Sequence, residues 1–139
     1  MKETKGRYTK QNVWDKAAEL DLRAGDEKID RGTNYFVLRL NEFGLRTLFS
    51  CEGHPNGFYI TFQAPYTRAL EFKGFGYFSF EIEGKNYWSI RINREMTNRG
   101  KIDCLRWAAE RWDERLGKIN WSKAVHKSGF TVVTKELKR

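Results

Sequence analysis

The sequence predicts an α+β fold: one domain on an antiparallel-dominated sheet of about five strands, with two N-terminal helices and one long C-terminal helix packed on it. Two observations carry this. Residues 77–83 and 87–93 alternate apolar and polar side chains around a short polar link, the mark of a half-buried hairpin. Residues 101–116 repeat apolar side chains at steps of three and four, the mark of an amphipathic helix. The size agrees: 139 residues, 40% hydrophobic and 15% aromatic, fit one domain that needs neither disulfides nor metal to hold a core.

Residues 1–10 are polar and lack a period, so they read as a flexible arm, followed by a domain over residues 11–134 and a flexible basic tail over 135–139. Asn12 is placed to cap a first helix, with Asp15 three positions on and Gly25 as its stop. A second helix starts between Asp30 and Thr33, carries Phe36, Val37, Leu40 and Phe43 at helical spacing, and ends at Gly44. Leu45 to Ser50 and Phe58 to Gln63 then read as paired strands, joined by a turn that holds Cys51, Glu52, Gly53 and His54. Residues 64–76 form a connection with room for one helical turn. In the next hairpin Phe78, Phe80 and Ile82 face the core with Trp88, Ile90 and Ile92, and Gly84-Lys85 suits a two-residue turn with glycine at positive φ. The long helix follows, ended by Gly117; a short helix over 122–127 and a last strand over 130–134 complete the chain.

The net charge of +8 is uneven. Residues 1–97 carry 15 Lys/Arg against 13 Asp/Glu, whereas residues 98–139 carry 11 against 5. Such an excess favours a polyanionic partner, because cations that neutralise phosphates release counterions. The phosphate-binding candidates are Arg106, Arg111, Arg115, Lys118, Lys123 and Lys127, with Trp107 beside Arg111 as a stacking surface. Tyr77, Tyr87 and Arg91, with Tyr66 and Arg68 near them, form a second candidate platform on the polar faces of their strands. Glu110, Asp113 and Glu114 share the long helix, so a salt-bridged solvent face is the competing reading.

The turn after the first strand pair concentrates chemistry. Cys51 beside Glu52 and His54 fits a thiol nucleophile with a base and an orienting carboxylate. The same loop, with Gly53 and Gly57, also fits a backbone cradle for a ligand, or a plain hairpin turn. Cys51 and His54 make one close Cys-x-x-His pair, with Cys104 and His126 the only other thiol and imidazole; no metal site and no cofactor are assigned. Two cysteines make no disulfide framework, and no secretory or membrane-spanning stretch stands out, so the expectation is a cytoplasmic protein with reduced thiols and no membrane partner.

Residues 40–62, LNEFGLRTLFSCEGHPNGFYITF, resemble the helix–strand–Ser-Cys-x-Gly–strand segment of the wybutosine-synthesising tRNA methyltransferases. Ser50, Cys51 and Gly53 match that pattern, and His54 stands where the family usually has arginine. The resemblance implies a tRNA-directed activity linked to S-adenosylmethionine. The compact basic style also resembles small phage and mobile-element proteins, some of which block host defence complexes. The functional expectation is therefore a small nucleic-acid-binding accessory protein, for RNA or DNA. The alternatives are an enzyme or nucleotide-binding protein at Cys51-Glu52-Gly53-His54, and a phage-type inhibitor with a protein partner.

Overall fold

The computed structural model describes residues 12–24, 26–53, 57–73, 78–126 and 131–132. The chain opens with α1 (Val13–Ala18), whose Asn12 side chain accepts a hydrogen bond from the Trp14 amide at 2.6 Å. The helix stops earlier than its sequence pattern predicts. Leu22 is fully buried and starts a short strand, β1 (Leu22–Ala24), which pairs with β2 (Glu27–Lys28). A 3-10 turn at Arg31–Thr33 leads into α2 (Asn34–Glu42).

Every residue of α2 is buried. A helix buried all round lies inside the domain, and α2 accordingly sits between the main sheet and the other helices. Its polar side chains each make at least one hydrogen bond, as burial demands, with Asn34 Oδ1 left without a partner. Asn34 donates to the Ala17 and Leu20 carbonyls, and Arg39 donates to Glu42, Asp113, the Tyr35 hydroxyl and the Gly117 carbonyl. Gly44, at φ +80°, closes the helix in the left-handed region.

The main sheet contains β3 (Arg46–Cys51), β4 (Phe58–Gln63), β5 (Ser79–Gly84) and β6 (Tyr87–Ile92), all antiparallel in the order β3-β4-β6-β5. Phe58 faces Ile92, Ile60 faces Ile90 and Phe62 faces Trp88, so the inner face is a continuous apolar surface. Each of these side chains contributes about 1.5–3 kcal/mol by leaving water. Between β4 and β5 lie a single helical turn, α3 (Tyr66–Ala69), and a 3-10 turn ending at Phe72. The long helix α4 (Asn98–Leu116) starts three residues earlier than its apolar repeat, because the Thr97 hydroxyl accepts from the Gly100 amide at 3.0 Å. Its Trp112 packs on Phe36, Phe72 and Phe78. A short α5 (Trp121–His126) follows and packs on α2, and β7 (Thr131–Val132) returns to pair with β1.

The α+β class and the antiparallel pairing are as the sequence predicts, but the strands divide. Four make the main sheet, while β1, β2 and β7 form a separate three-stranded sheet. The last strand joins β1 rather than extending the main sheet. The turn between β5 and β6 also sits one place later than expected. An irregularity at Glu83 adds a residue to β5, so Gly84 stays in the strand and Asn86 takes the positive φ of 61°. Among the described residues, no helix is long and apolar enough to cross a membrane.

Candidate functional site

The loop that follows β3 is braced rather than open. The Glu52 amide donates to Asp30 Oδ2 at 2.9 Å, and the Gly32 amide donates to Glu52 Oε1 at 3.1 Å. Lys101, 2% exposed on α4, donates its ammonium to the Glu52 and Gly53 carbonyls at 2.8 and 3.2 Å. The carboxylate fits only because residue 32 is glycine; a Cβ there would meet Glu52 Cδ at 2.8 Å. Glu52 thus lines a cleft of about 630 Å³ floored by Trp14, Ile29 and Ile102.

Cys51 points the other way. It pairs with Tyr59 in register, and Tyr59 alternates with the core residues Phe58 and Ile60. Side chains of successive strand residues point to opposite faces, so Cys51 and Glu52 diverge across the sheet and do not form a thiol–carboxylate pair. His54 lies outside the described residues. Cys104 is in the buried stripe of α4, where burial pushes its thiol up to about 11. Among the described residues, no cluster of three metal-ligating side chains forms.

The cations of α4 are interleaved with acids. Arg106 meets Asp15 at 2.9 Å, lies 3.7 Å from Asp103, and covers the Trp14 ring. Arg111 makes a two-pronged contact with Glu114 at 2.6 and 2.9 Å and lies 5.3 Å over the half-exposed Trp107 ring. Arg115 donates to the Lys73 carbonyl, which gathers Lys73, Arg115 and the nearby exposed Lys118 at the C-terminal end of the helix. Lys123 is exposed on α5, and Lys127 lies outside the described residues. Apart from buried Lys101, α4 carries four arginines and four acids, so the helix surface is close to neutral.

The uncovered face of the main sheet is the more distinctive surface. The helices pack on the face of Phe58, Ile60, Ile90 and Trp88; among the described residues the opposite face is partly exposed, with Ser89 fully buried against Glu83 and Arg91. In one row stand Cys51, Tyr59, Arg91 and Ser79; in the next Phe49, Thr61, Ser89 and Glu81; in the third Gln63 and Tyr87. Phe49 is 67% exposed and Tyr87 38%. The Phe49 side chain reaches this face through a register shift between Thr47 and Phe49. Arg91 lies 5.1 Å over the Tyr59 ring and donates to Glu83 at 3.1 and 3.2 Å. The Ser89 hydroxyl donates to the same Glu83 oxygen, which holds that carboxyl below its usual range. Of the other members of the expected sheet platform, Tyr77 lies outside the described residues, while Tyr66 packs on the inner-face Trp88 at 5.5 Å and Arg68 donates to the Phe43 carbonyl, so neither joins this face.

The two expected platforms therefore stand on opposite sides of the sheet: Tyr87 and Arg91 on the open face, and Arg106, Trp107, Arg111 and Arg115 on the helix side. Phe49, Tyr59, Glu81 and Glu83 complete the open face. Strict alternation over residues 58–63 already marks Tyr59 as facing away from the core, whereas Phe49 is recognisable only once the irregularity in β3 is known. Compared with protein-family profiles, curated proteins and solved structures, the chain matches none.

Proposed function

We propose that this chain binds single-stranded nucleic acid, with bases resting on the open face of the main sheet. One observation carries the reading: three aromatic rings, Tyr59, Phe49 and Tyr87, occupy three successive rows of a solvent-facing sheet. Rows on one face recur about every 7 Å along a strand, and the rings lie on β4, β3 and β6 in turn, so they offer separate stacking surfaces spread across the sheet. Rings separated by Thr61, Ser89 and Gln63 suit individual bases better than a protein partner, whose docking favours a continuous apolar patch. Base–aromatic stacking is worth about 1–3 kcal/mol per base.

Charge supports the same reading from outside the sheet. Residues 12–126 carry 18 Lys/Arg against 16 Asp/Glu, while residues 1–11 and 127–139 each carry four against one. The phosphate-neutralising excess thus belongs mainly to the two terminal segments, with Lys73, Arg115 and Lys118 a smaller cluster on the helix side.

Fluorescence anisotropy with labelled RNA and DNA strands, single and double, at two salt concentrations tests the proposal. Single strands should bind more tightly than duplexes, whose base faces are already stacked. Phe49→Ala and Tyr87→Ala should each weaken binding by roughly tenfold while leaving the melting temperature nearly unchanged, since both rings are exposed. No binding at low salt, or full affinity in the double variant, overturns it.

A further inference from the structure

We infer that the open face reads guanine, with Glu83 as the acceptor beside the Tyr87 ring; this rests on the single-strand reading above. The charges on this face pose a conflict for a polyanion. Arg91 on this face is already met by Glu81 at 3.6 Å and Glu83 at 3.1 Å, and a carboxylate next to a phosphate repels it. The conflict disappears if the carboxylates meet base edges, which carry N–H donors, rather than the backbone.

The local geometry favours that placement. Glu83 Oε2 is anchored by the Ser89 hydroxyl and the Arg91 guanidinium. Glu83 Oε1 has no hydrogen-bond partner among the described residues. Ser89 and Arg91 keep the carboxyl ionised, so it acts only as an acceptor. Gly84, the next residue, lies against Tyr87: a Cβ there would stand 3.7 Å from the ring. The carboxylate is held at Ser89, one row (about 7 Å) from Tyr87 on the same face, so the edge of a base stacked on Tyr87 would point towards it.

Base chemistry then selects. The Watson–Crick edge of guanine presents two adjacent donors, N1–H and the 2-amino group, to one acceptor group. Adenine and cytosine present an amino donor next to a ring-nitrogen acceptor, and thymine and uracil present one N–H between two carbonyl oxygens. An ionised carboxylate attracts the first edge and meets unfavourable lone pairs on the others.

The test is competition anisotropy in lithium buffer, which suppresses four-stranded guanine structures, using DNA strands of about 12 nucleotides. A strand of GTT repeats is compared with oligothymidine and with the same repeat carrying hypoxanthine, which lacks the 2-amino group, in place of guanine. The guanine strand should bind roughly tenfold more tightly than oligothymidine, with hypoxanthine between them. Glu83→Gln should bring the guanine strand down to the oligothymidine level. The hypoxanthine strand probes the same contact with the unaltered protein, so the outcome does not depend on the variant folding. Equal affinity for all three strands, or a preference that survives Glu83→Gln, overturns the guanine assignment and leaves single-strand binding standing. Failure to bind any strand overturns both.

Discussion

Arg39→Met removes the charged centre of the domain while keeping most of the side-chain volume. The Arg39 side chain is fully buried and contacts Glu42 at 2.6 Å, Asp113 at 2.9 Å, the Tyr35 hydroxyl at 3.2 Å and the Gly117 carbonyl. It thereby ties α2 to the C-terminal end of α4, and Glu42 extends the link to the Asn120 amide before α5. Without the guanidinium, Glu42 and Asp113 become poorly solvated carboxylates with no counter-charge, a destabilisation of about 3–5 kcal/mol. In a chain of this size that lowers the melting temperature by roughly 10–15 °C. Arg111→Gln is the comparison, since its pair with Glu114 is exposed and worth at most about 1 kcal/mol. Circular dichroism melts of both variants give the two numbers. The deficit should also depend on pH. Burial already raises the Asp113 carboxyl in the folded protein, so the folded state holds that proton more tightly than the unfolded state, and stability falls as pH rises through the acid range. Removing Arg39 enlarges this effect, so the variant should lie closer to the native protein near pH 4 than at neutral pH. Equal destabilisation by Arg39→Met and Arg111→Gln, or a deficit that grows on acidification, would refute the argument.

The two thiols should separate in a titration with a disulfide reagent at mild alkaline pH. Half-buried Cys51 reacts first and its signal disappears in Cys51→Ser, while Cys104, pushed up to about 11 by burial, reacts only on unfolding. Because the Cys104 value is raised by folding, its contribution to stability is complete below the ordinary thiol value and is lost as pH rises towards 11. Gly32→Ala should cost about 1–3 kcal/mol through the clash with Glu52, and much less in a Glu52→Ala background, as a denaturant double-mutant cycle would measure. Replacing Lys2, Lys5, Lys10, Lys135 and Lys138 by glutamine should flatten the salt dependence of single-strand binding, by about 0.7 in the log–log slope for each phosphate that is no longer neutralised.

The parts of the fold with strong periodicity were legible in the sequence. β4, β6 and α4 follow their patterns to within a few residues, because in each the buried face is set by local alternation or by steps of three and four. The small sheet was not legible. β1 and β2 are three and two residues long, too short for a period, and β1 exists because Leu22 reaches the core and β7 returns from more than a hundred residues away. The Cys51–Glu52 pair shows a different limit. Adjacent residues on a strand end must diverge, so closeness in sequence opposed the joint role it invited, and the bracing by Asp30, Gly32 and Lys101 is a tertiary fact with no local signature.

The helix cations show how a charge count misleads when it ignores register. Residues 98–139 hold most of the excess, but on α4 two of the four acids meet an arginine three positions away, Asp103 with Arg106 and Glu114 with Arg111. At that spacing each acid meets its arginine on the same side of the helix, so the folded surface cancels what the sequence total adds up. What survives cancellation is carried outside residues 12–126, where no such partners alternate. On the proposed reading, the described domain would supply stacking rings and carboxylate acceptors on the sheet, and the basic terminal segments the charge. If that reading holds, affinity should fall with added salt while base preference does not, a separation that would trace to the register of the sheet and the pairing along α4.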